Sequence, residues 1–234
     1  LFDGDPGRTL PLAQQAKYER ILAELALPAG AHILEIGCGW GGFAEVAARA
    51  GYRVTGLSLS DAQTAWARER LARAGLADRA EFRIEDYRDH RGTYDGVASI
   101  EMVEAVGERW WPTYFAKIRD ALAPGGRACV QGITIAEARF ARYRRETDFI
   151  QQYIFPGGML PSRSRLVAEA RHAGLEPAGE RRFGRDYAET LVRWLDAFDA
   201  NAARIRAQGF DEAFVRCWRF YLAYCAAGFF TEST

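Results

Sequence analysis

Charge of a prevailing sign is missing from this chain. Lys+Arg and Asp+Glu each number 31, so no global field draws it to nucleic acid or to an anionic membrane, and only local patches can do so. Lysine is nearly absent: Lys17 and Lys117 are the only two, and arginine supplies every other cation, as an arginine-rich genome would produce. Four cysteines, Cys38, Cys129, Cys217 and Cys225, show neither metal-ligand pairing nor a small-scaffold disulfide pattern, and the three histidines are scattered. That leaves no recognisable metal site and fits a reducing cytoplasm. The most apolar run, FYLAYCAAGFF at 220–230, falls short of the roughly 20 residues needed to cross a bilayer and reads as a core helix, with the lining of a lipid pocket as the alternative. No targeting segment stands out, and the abrupt start at Leu1-Phe2 and the end in GFFTEST suggest that both ends are clipped.

What is present is a repeating alternation. A hydrophobic content of 49% over 234 residues supports a single large domain with a real core. LPLAQQAKYERILAEL (10–25) carries Leu12, Ala16, Ile21 and Leu25 near one helical face, which predicts a leading helix. HILEIG (32–37) reads as a buried strand opening into CGWGG and then a helix. YRVTGLSLS (52–60) is a second strand, and Ser60 with Gln63 forms a capping-box signature for a helix ending at Gly75. AEFRI (80–84), YDGVASI (94–100) and RACVQGITI (127–135) supply three more strands, the last after a helix with Pro112 in its first turn.

Strands and helices alternating at this pace predict a Rossmann-like α/β fold, a doubly wound and mostly parallel sheet with ligands at the carboxyl ends of its strands. From Glu137 onward the pattern changes to helices. The segments 137–161 and roughly 186–229 read as helical insertions covering the active site and building a substrate pocket.

Gly37, Gly39 and Gly42 in EIGCGWGG fit G-x-G-x-x-G between a strand and a helix. A nicotinamide enzyme would carry an acid at the end of the second strand to hold the ribose diol; here that place reads GLSLS, with no carboxylate before Asp61. Glu35 before the loop, the extra Gly41 and the acid Asp86 after the third strand favour S-adenosylmethionine instead. The glycines let the backbone approach the methionine part, Glu35 can accept from its ammonium group, and Asp86 can accept from the adenine amino group.

The segment SIEMVEAVGERWW (99–111) places Glu101 and Glu104 in an otherwise apolar stretch. A buried ionised carboxylate is costly unless it is paired, hydrogen-bonded or used. Glu101 either points into the active site as a base or turns outward to pair with an arginine such as Arg127.

TLPLAQQAK, ILEIGCGWGG, GLSLSDAQ, EDYRD, SIEMVEAVG, YIFPGGMLPS and RFYLAYCAAGF together resemble the cyclopropane-fatty-acid synthases and related class I S-adenosylmethionine-dependent lipid methyltransferases, over almost the whole chain. The resemblance implies a cofactor site at Glu35, Gly37, Cys38, Gly39, Trp40, Gly41, Gly42, Ser58, Leu59, Gln63, Asp86 and Tyr87. It implies methyl or methylene transfer to the double bond of an unsaturated acyl chain in a phospholipid. The alkene takes the sulfonium methyl, a carbocation forms, and bicarbonate removes a proton. Glu104 matches the family's bicarbonate-anchoring glutamate, and Tyr221 its tyrosine.

Two positions depart from the family. Ala105 stands where a histidine follows the glutamate, and Gln131 replaces the histidine after the fifth strand; a glutamine donates and accepts but carries no charge. The family's cysteine-bearing segment would lie before Leu1. With Glu101 added, these departures open a methyl- or methylene-branched product as well as a ring.

Phe149, Tyr153, Phe155, Trp194, Phe198 and Tyr221 can stabilise positive charge through their rings, with core packing as the ordinary role of all but Tyr221. Arg139, Arg142, Arg144 and Arg145 form either a solvated helix face or a basic patch for peripheral contact with the inner membrane face. A homodimer is compatible with the resemblance. Two other readings stay open: methyl transfer to an amine or another small nucleophile, and a non-catalytic S-adenosylmethionine sensor or lipid-binding protein. A dehydrogenase is remote.

Overall fold

The computed structural model describes residues 1–5 and 7–234. α1 (Leu10–Leu25) leads into β1 (His32–Ile36), α2 (Gly42–Arg49), β2 (Arg53–Ser58), α3 (Asp61–Arg73), β3 (Ala80–Ile84) and β4 (Tyr94–Ile100). The short α4 (Val103–Val106) follows, then α5 (Trp111–Ala121) and β5 (Leu122–Gln131). The remainder is helical: α6 (Glu137–Tyr143), α7 (Phe149–Tyr153), α8 (Arg163–His172), α9 (Gly184–Ala200), α10 (Ala202–Ala207) and α11 (Glu212–Phe230).

The five strands lie in the order β3-β2-β1-β4-β5, and every pair is parallel, the doubly wound sheet that the alternation predicts. Alternate residues of each strand feed opposite faces. Ile33 packs with Phe43, Ala47, Val54 and Leu71 under α1–α3, while Leu34 and Ile36 pack with Trp111, Tyr114 and Ile118 of α5. A third apolar cluster joins α9 to α11 through Ala188, Leu191, Leu222, Ala226 and Phe229, so one face of the apolar run at 220–230 is packed while Phe220, Tyr224 and Phe230 on it are exposed. Among the described residues, no helix is long and apolar enough to cross a membrane.

Sheet order reverses between β1 and β4, and ligands in such sheets bind in the crevice at that switch point. The expected strand boundaries shift in two places. β2 stops at Ser58, because Ser60 leaves the sheet to cap α3. β5 begins at Leu122 and ends at Gln131, the partner of Ile100. Beyond that pair β4 offers no further backbone, and the chain runs out to a single bridge from Ile135 to Ser162. The late segment, expected as a helical insertion over roughly 186–229, divides into α9, the short α10 and α11.

Candidate active site

The turn after β1 is fixed by close approach. Gly37 has φ 83°, and a Cβ there would stand 3.0 Å from Met102 Cγ; Gly41 has φ 76°, and its Cβ would meet Ala67 Cβ at 2.9 Å. Side chains at either position would clash in a backbone region that non-glycine residues rarely adopt. The N–H groups of Gly37 and Cys38 both donate to the Leu57 carbonyl, at 3.0 and 2.9 Å, tying the turn to β2. The α-carbon of Gly39 faces open space.

Beneath the turn Glu35 is buried, and its Oε2 has no hydrogen-bond partner among the described residues. Burial pushes its carboxyl well above the usual range. An acceptor left open beside a glycine turn suits a cationic group, and the turn, with exposed Trp40 and Leu59 flanking it, fits the methionine and ribose parts of S-adenosylmethionine.

Ser58 donates to Gln63 Oε1 at 3.2 Å and accepts from the Ser60 N–H at 3.1 Å. Ser60 caps α3 by accepting from the Gln63 N–H, but the Gln63 side chain turns to Ser58, so only half of the expected capping box forms. Asp86 is held by Arg88 through its Nη2 at 2.6 Å and its backbone N–H at 2.9 Å, and that pairing keeps its carboxyl below the usual range. Tyr87 stands edge-on to Tyr114, 5.8 Å between centroids, and lines a cavity of about 320 Å³ with Leu34, Ile36, His90 and Lys117.

One strand away, the two acids of SIEMVEAVG have different surroundings. Glu101 adopts φ 53° directly after β4, a left-handed conformation that costs a non-glycine residue of order 1–2 kcal/mol. Its Oε1 accepts from Gln131 Nε2 at 2.6 Å and Lys17 Nζ at 3.3 Å; its Oε2 accepts from the Tyr187 hydroxyl at 2.5 Å.

The outward pairing with Arg127 does not occur. Arg127 sits opposite Gly96, five residues back along the strand and so roughly 16 Å away. The carboxylate instead joins α1, β5 and α9 at the strand ends.

Glu104 lies in α4, just past the strand end. Its Oε1 accepts from the Ile133 N–H, its carbonyl accepts from the Met159 N–H at 2.8 Å, and its Oε2 is buried without a partner among the described residues. Burial raises its carboxyl to about 7, against the pull of the Ile133 hydrogen bond and with a further push from the Glu101 charge. Gln131 is buried, and its Oε1 is also unpartnered.

α9 and α11 supply the aromatic wall. Tyr221 stands edge-on to Phe155 and Trp218, at 5.8 and 5.4 Å, and burial raises its hydroxyl, which hydrogen-bonds to Cys225. Tyr153 and Phe155 are 63% and 52% exposed, and Trp194 is 36% exposed, so core packing, the ordinary role expected of these rings, does not describe them. Tyr153 ends α7, Phe155 lies in the turn after it and Trp194 stands on α9.

Tyr187, Lys17 and Ile133 enter the site without a sequence signal. The first two lie on amphipathic helices 86 and 84 residues from Glu101, and the third contributes only a backbone N–H.

Bicarbonate would compete for donors already in use. An anion needs donors, yet Lys17, Tyr187 and the Gln131 amide all donate to Glu101, and the Ile133 N–H donates to Glu104. Glu104 Oε2 and Gln131 Oε1, buried without a partner among the described residues, are acceptors, and the Tyr221 hydroxyl is bonded to Cys225.

A family model described as mycolic acid cyclopropane synthetase matches residues 2–234. The chain is 42% identical over 221 residues, 94% of its length and 52% of the relative's, to the tuberculostearic acid methyltransferase UfaA1 of Mycobacterium tuberculosis. It is 34% identical over 226 residues, 94% of its length and 55% of the relative's, to the cyclopropane-fatty-acyl-phospholipid synthase of Escherichia coli. The chain thus spans about half the length of the curated relatives it matches. The crystal structure of the mycolic acid cyclopropane synthase CmaA1 complexed with SAH and CTAB superposes with a TM-score of 0.90 at 26% identity, covering 99% of this chain and 84% of that one.

Proposed function

Because the chain belongs to the mycolic acid cyclopropane synthetase family, we propose that it catalyses S-adenosylmethionine-dependent alkylation of the double bond of an unsaturated fatty acyl chain. The observation that carries this reading is the placement of Glu101 and Glu104 at the carboxyl end of β4, beside the Gly37–Gly42 turn and under the aromatic face of α9 and α11. Such an arrangement provides negative charge, ring faces and little water where a carbocation has to survive.

Bound there, S-adenosylmethionine would supply an electrophilic methyl group, the electron pair of the carbon–sulfur bond staying with sulfur. Glu35 and the glycine turn hold the methionine part, Ser58, Leu59 and Gln63 the ribose side, and Asp86 and Tyr87 the adenine side. The alkene's π pair makes the new carbon–carbon bond and leaves positive charge on the neighbouring chain carbon, facing Glu101, Gln131 and Tyr221, with the buried Glu104 beside Glu101.

Loss of a proton from the new methyl group then closes a cyclopropane. If a hydride first moves from the methylated carbon to its neighbour, the same loss leaves an exocyclic methylene. A saturated methyl branch needs a separate reductant, so the chemistry of this site ends at the ring or the methylene. Gln131 and Ala105, together with the 42% identity to a tuberculostearic acid methyltransferase, favour the branched outcome.

A phospholipid substrate puts the chain in peripheral contact with the inner membrane face, in the cytoplasm. Arg142 and Arg144 are paired with Glu146 and Glu108, which weakens the arginine cluster as an anchor. Tyr153, Phe155, Phe220 and Tyr224, all exposed, provide an aromatic surface in its place, as interfacial rings commonly do. Incubation with S-adenosylmethionine and vesicles of unsaturated or fully saturated phospholipid tests the reading. S-adenosylhomocysteine should accumulate with the unsaturated vesicles alone, and equal rates on both would refute it.

A further inference from the structure

The family's exogenous base is bicarbonate, yet Lys17, Gln131 and Tyr187, the donors gathered at the end of β4, already hold a carboxylate of the chain itself. We propose that the Glu101 carboxylate takes the place of that anion as the proton acceptor, and that Tyr187 and Lys17 are the positioning residues that hold it there. The proposal rests on acyl alkylation as the reaction and adds to it the identity of the base.

Three observations converge. The carboxylate is gripped from three separate elements, by Lys17 on α1, Gln131 on β5 and Tyr187 on α9, with contacts of 2.5–3.3 Å. Helix, sheet edge and lid together fix one carboxylate whose side chain is still 27% exposed. Secondly, the residue occupies a left-handed backbone conformation, φ 53°, and strain of this kind persists only where the surroundings over-determine it. Thirdly, the neighbouring acid is excluded by access: both Glu104 oxygens are withdrawn, one bonded to the Ile133 N–H and the other buried.

The groups that face Glu101 are Lys17 from α1, Gln131 from β5, Tyr187 from α9, Tyr221 from α11 and Tyr18 from α1, with Glu104 beside it. In the step, a C–H bond of the transferred methyl group breaks. Its electron pair goes to the cationic carbon to form the ring bond or the exocyclic double bond, and the proton goes to a Glu101 oxygen and from there to solvent.

The test is to empty the clamp. Glu101→Gly suits the observed φ without strain and leaves the three donors without an acceptor. In carbon-dioxide-free buffer, wild-type turnover should not respond to added bicarbonate. Glu101→Gly should lose turnover by roughly a hundredfold, the scale of a general base, and recover most of it when bicarbonate is added. Adding Tyr187→Phe or Lys17→Gln to Glu101→Gly should abolish that recovery, whereas Lys17→Arg should preserve it.

Binding of carbon-13 bicarbonate, followed by NMR line broadening, gives a readout independent of turnover: the Glu101→Gly variant should bind it and the wild type should not. Stimulation of the wild type by bicarbonate, or a Glu101→Gly variant that neither binds nor responds to it, would overturn the proposal. If Glu101→Gly binds bicarbonate while the wild type alkylates no lipid, the clamp stands and the substrate reading falls.

Discussion

Replacing Glu104 with glutamine separates the charge of this residue from its shape. Its carboxyl moves from 4.5 to about 7 in the folded chain because burial penalises the ionised form more than the Ile133 N–H rewards it. The folded state therefore binds more protons than the unfolded state between those two values. Stability from this group is fully present below 4.5 and is lost as pH rises through about 7; at 1.4 kcal/mol per pH unit the total is about 3 kcal/mol.

Glutamine keeps an oxygen for the Ile133 N–H and never ionises, so the variant lacks this slope. Urea denaturation of both proteins at about pH 5 and about pH 8.5 reads the difference directly. Glu104→Gln should gain on the wild type by about 3 kcal/mol between the two conditions, even though it should lose turnover. An unchanged gap between the two proteins across that range would refute the assignment of Glu104 as a carboxylate kept proton-hungry by its surroundings.

Gly41→Ala forces a Cβ to within 2.9 Å of Ala67 Cβ at φ 76°; it should cost about 1–3 kcal/mol and weaken S-adenosylmethionine binding at least roughly tenfold, measured by calorimetry. Burial pushes the Glu35 carboxyl well above its usual range and a cation bound beside it opposes that shift, so binding of S-adenosylmethionine should release a proton. Calorimetry in buffers of different ionisation heat checks this, and Glu35→Gln should release none. Tyr221→Phe keeps the edge contacts with Phe155 and Trp218 and should lower turnover by roughly ten- to a hundredfold with cofactor affinity unchanged.

The sheet was legible because its signals are local. HILEI, RVTGLS, AEFRI and YDGVASI are short apolar strands, each closed by a turn or capping residue, and the glycine turn sits where strand meets helix. The limits of β5 were not legible: Leu122–Gly126 lie outside the strand expected at 127–135, and its end depends on where β4 stops. In the site, Glu104 and the glycine turn could be placed because they lie in contiguous motifs. The partners of Glu101 could not, since Lys17, Gln131 and Tyr187 are 84, 30 and 86 residues away and no periodicity marks a tyrosine that donates across a sheet end. The exposed rings of α7 and α11 were misjudged for a related reason. Their apolar character predicts burial, and only the fold shows that nothing packs outside them.

The central claim is carbon alkylation of an unsaturated acyl chain, and transfer of a carbon-13 methyl group from labelled S-adenosylmethionine tests it most directly. NMR of the lipids extracted after incubation with unsaturated phospholipid vesicles should place the label in a cyclopropane methylene or an exocyclic =CH₂ carbon. Label in an N-methyl or O-methyl group of the headgroup, or no transfer to lipid by a protein that binds the cofactor, would contradict it.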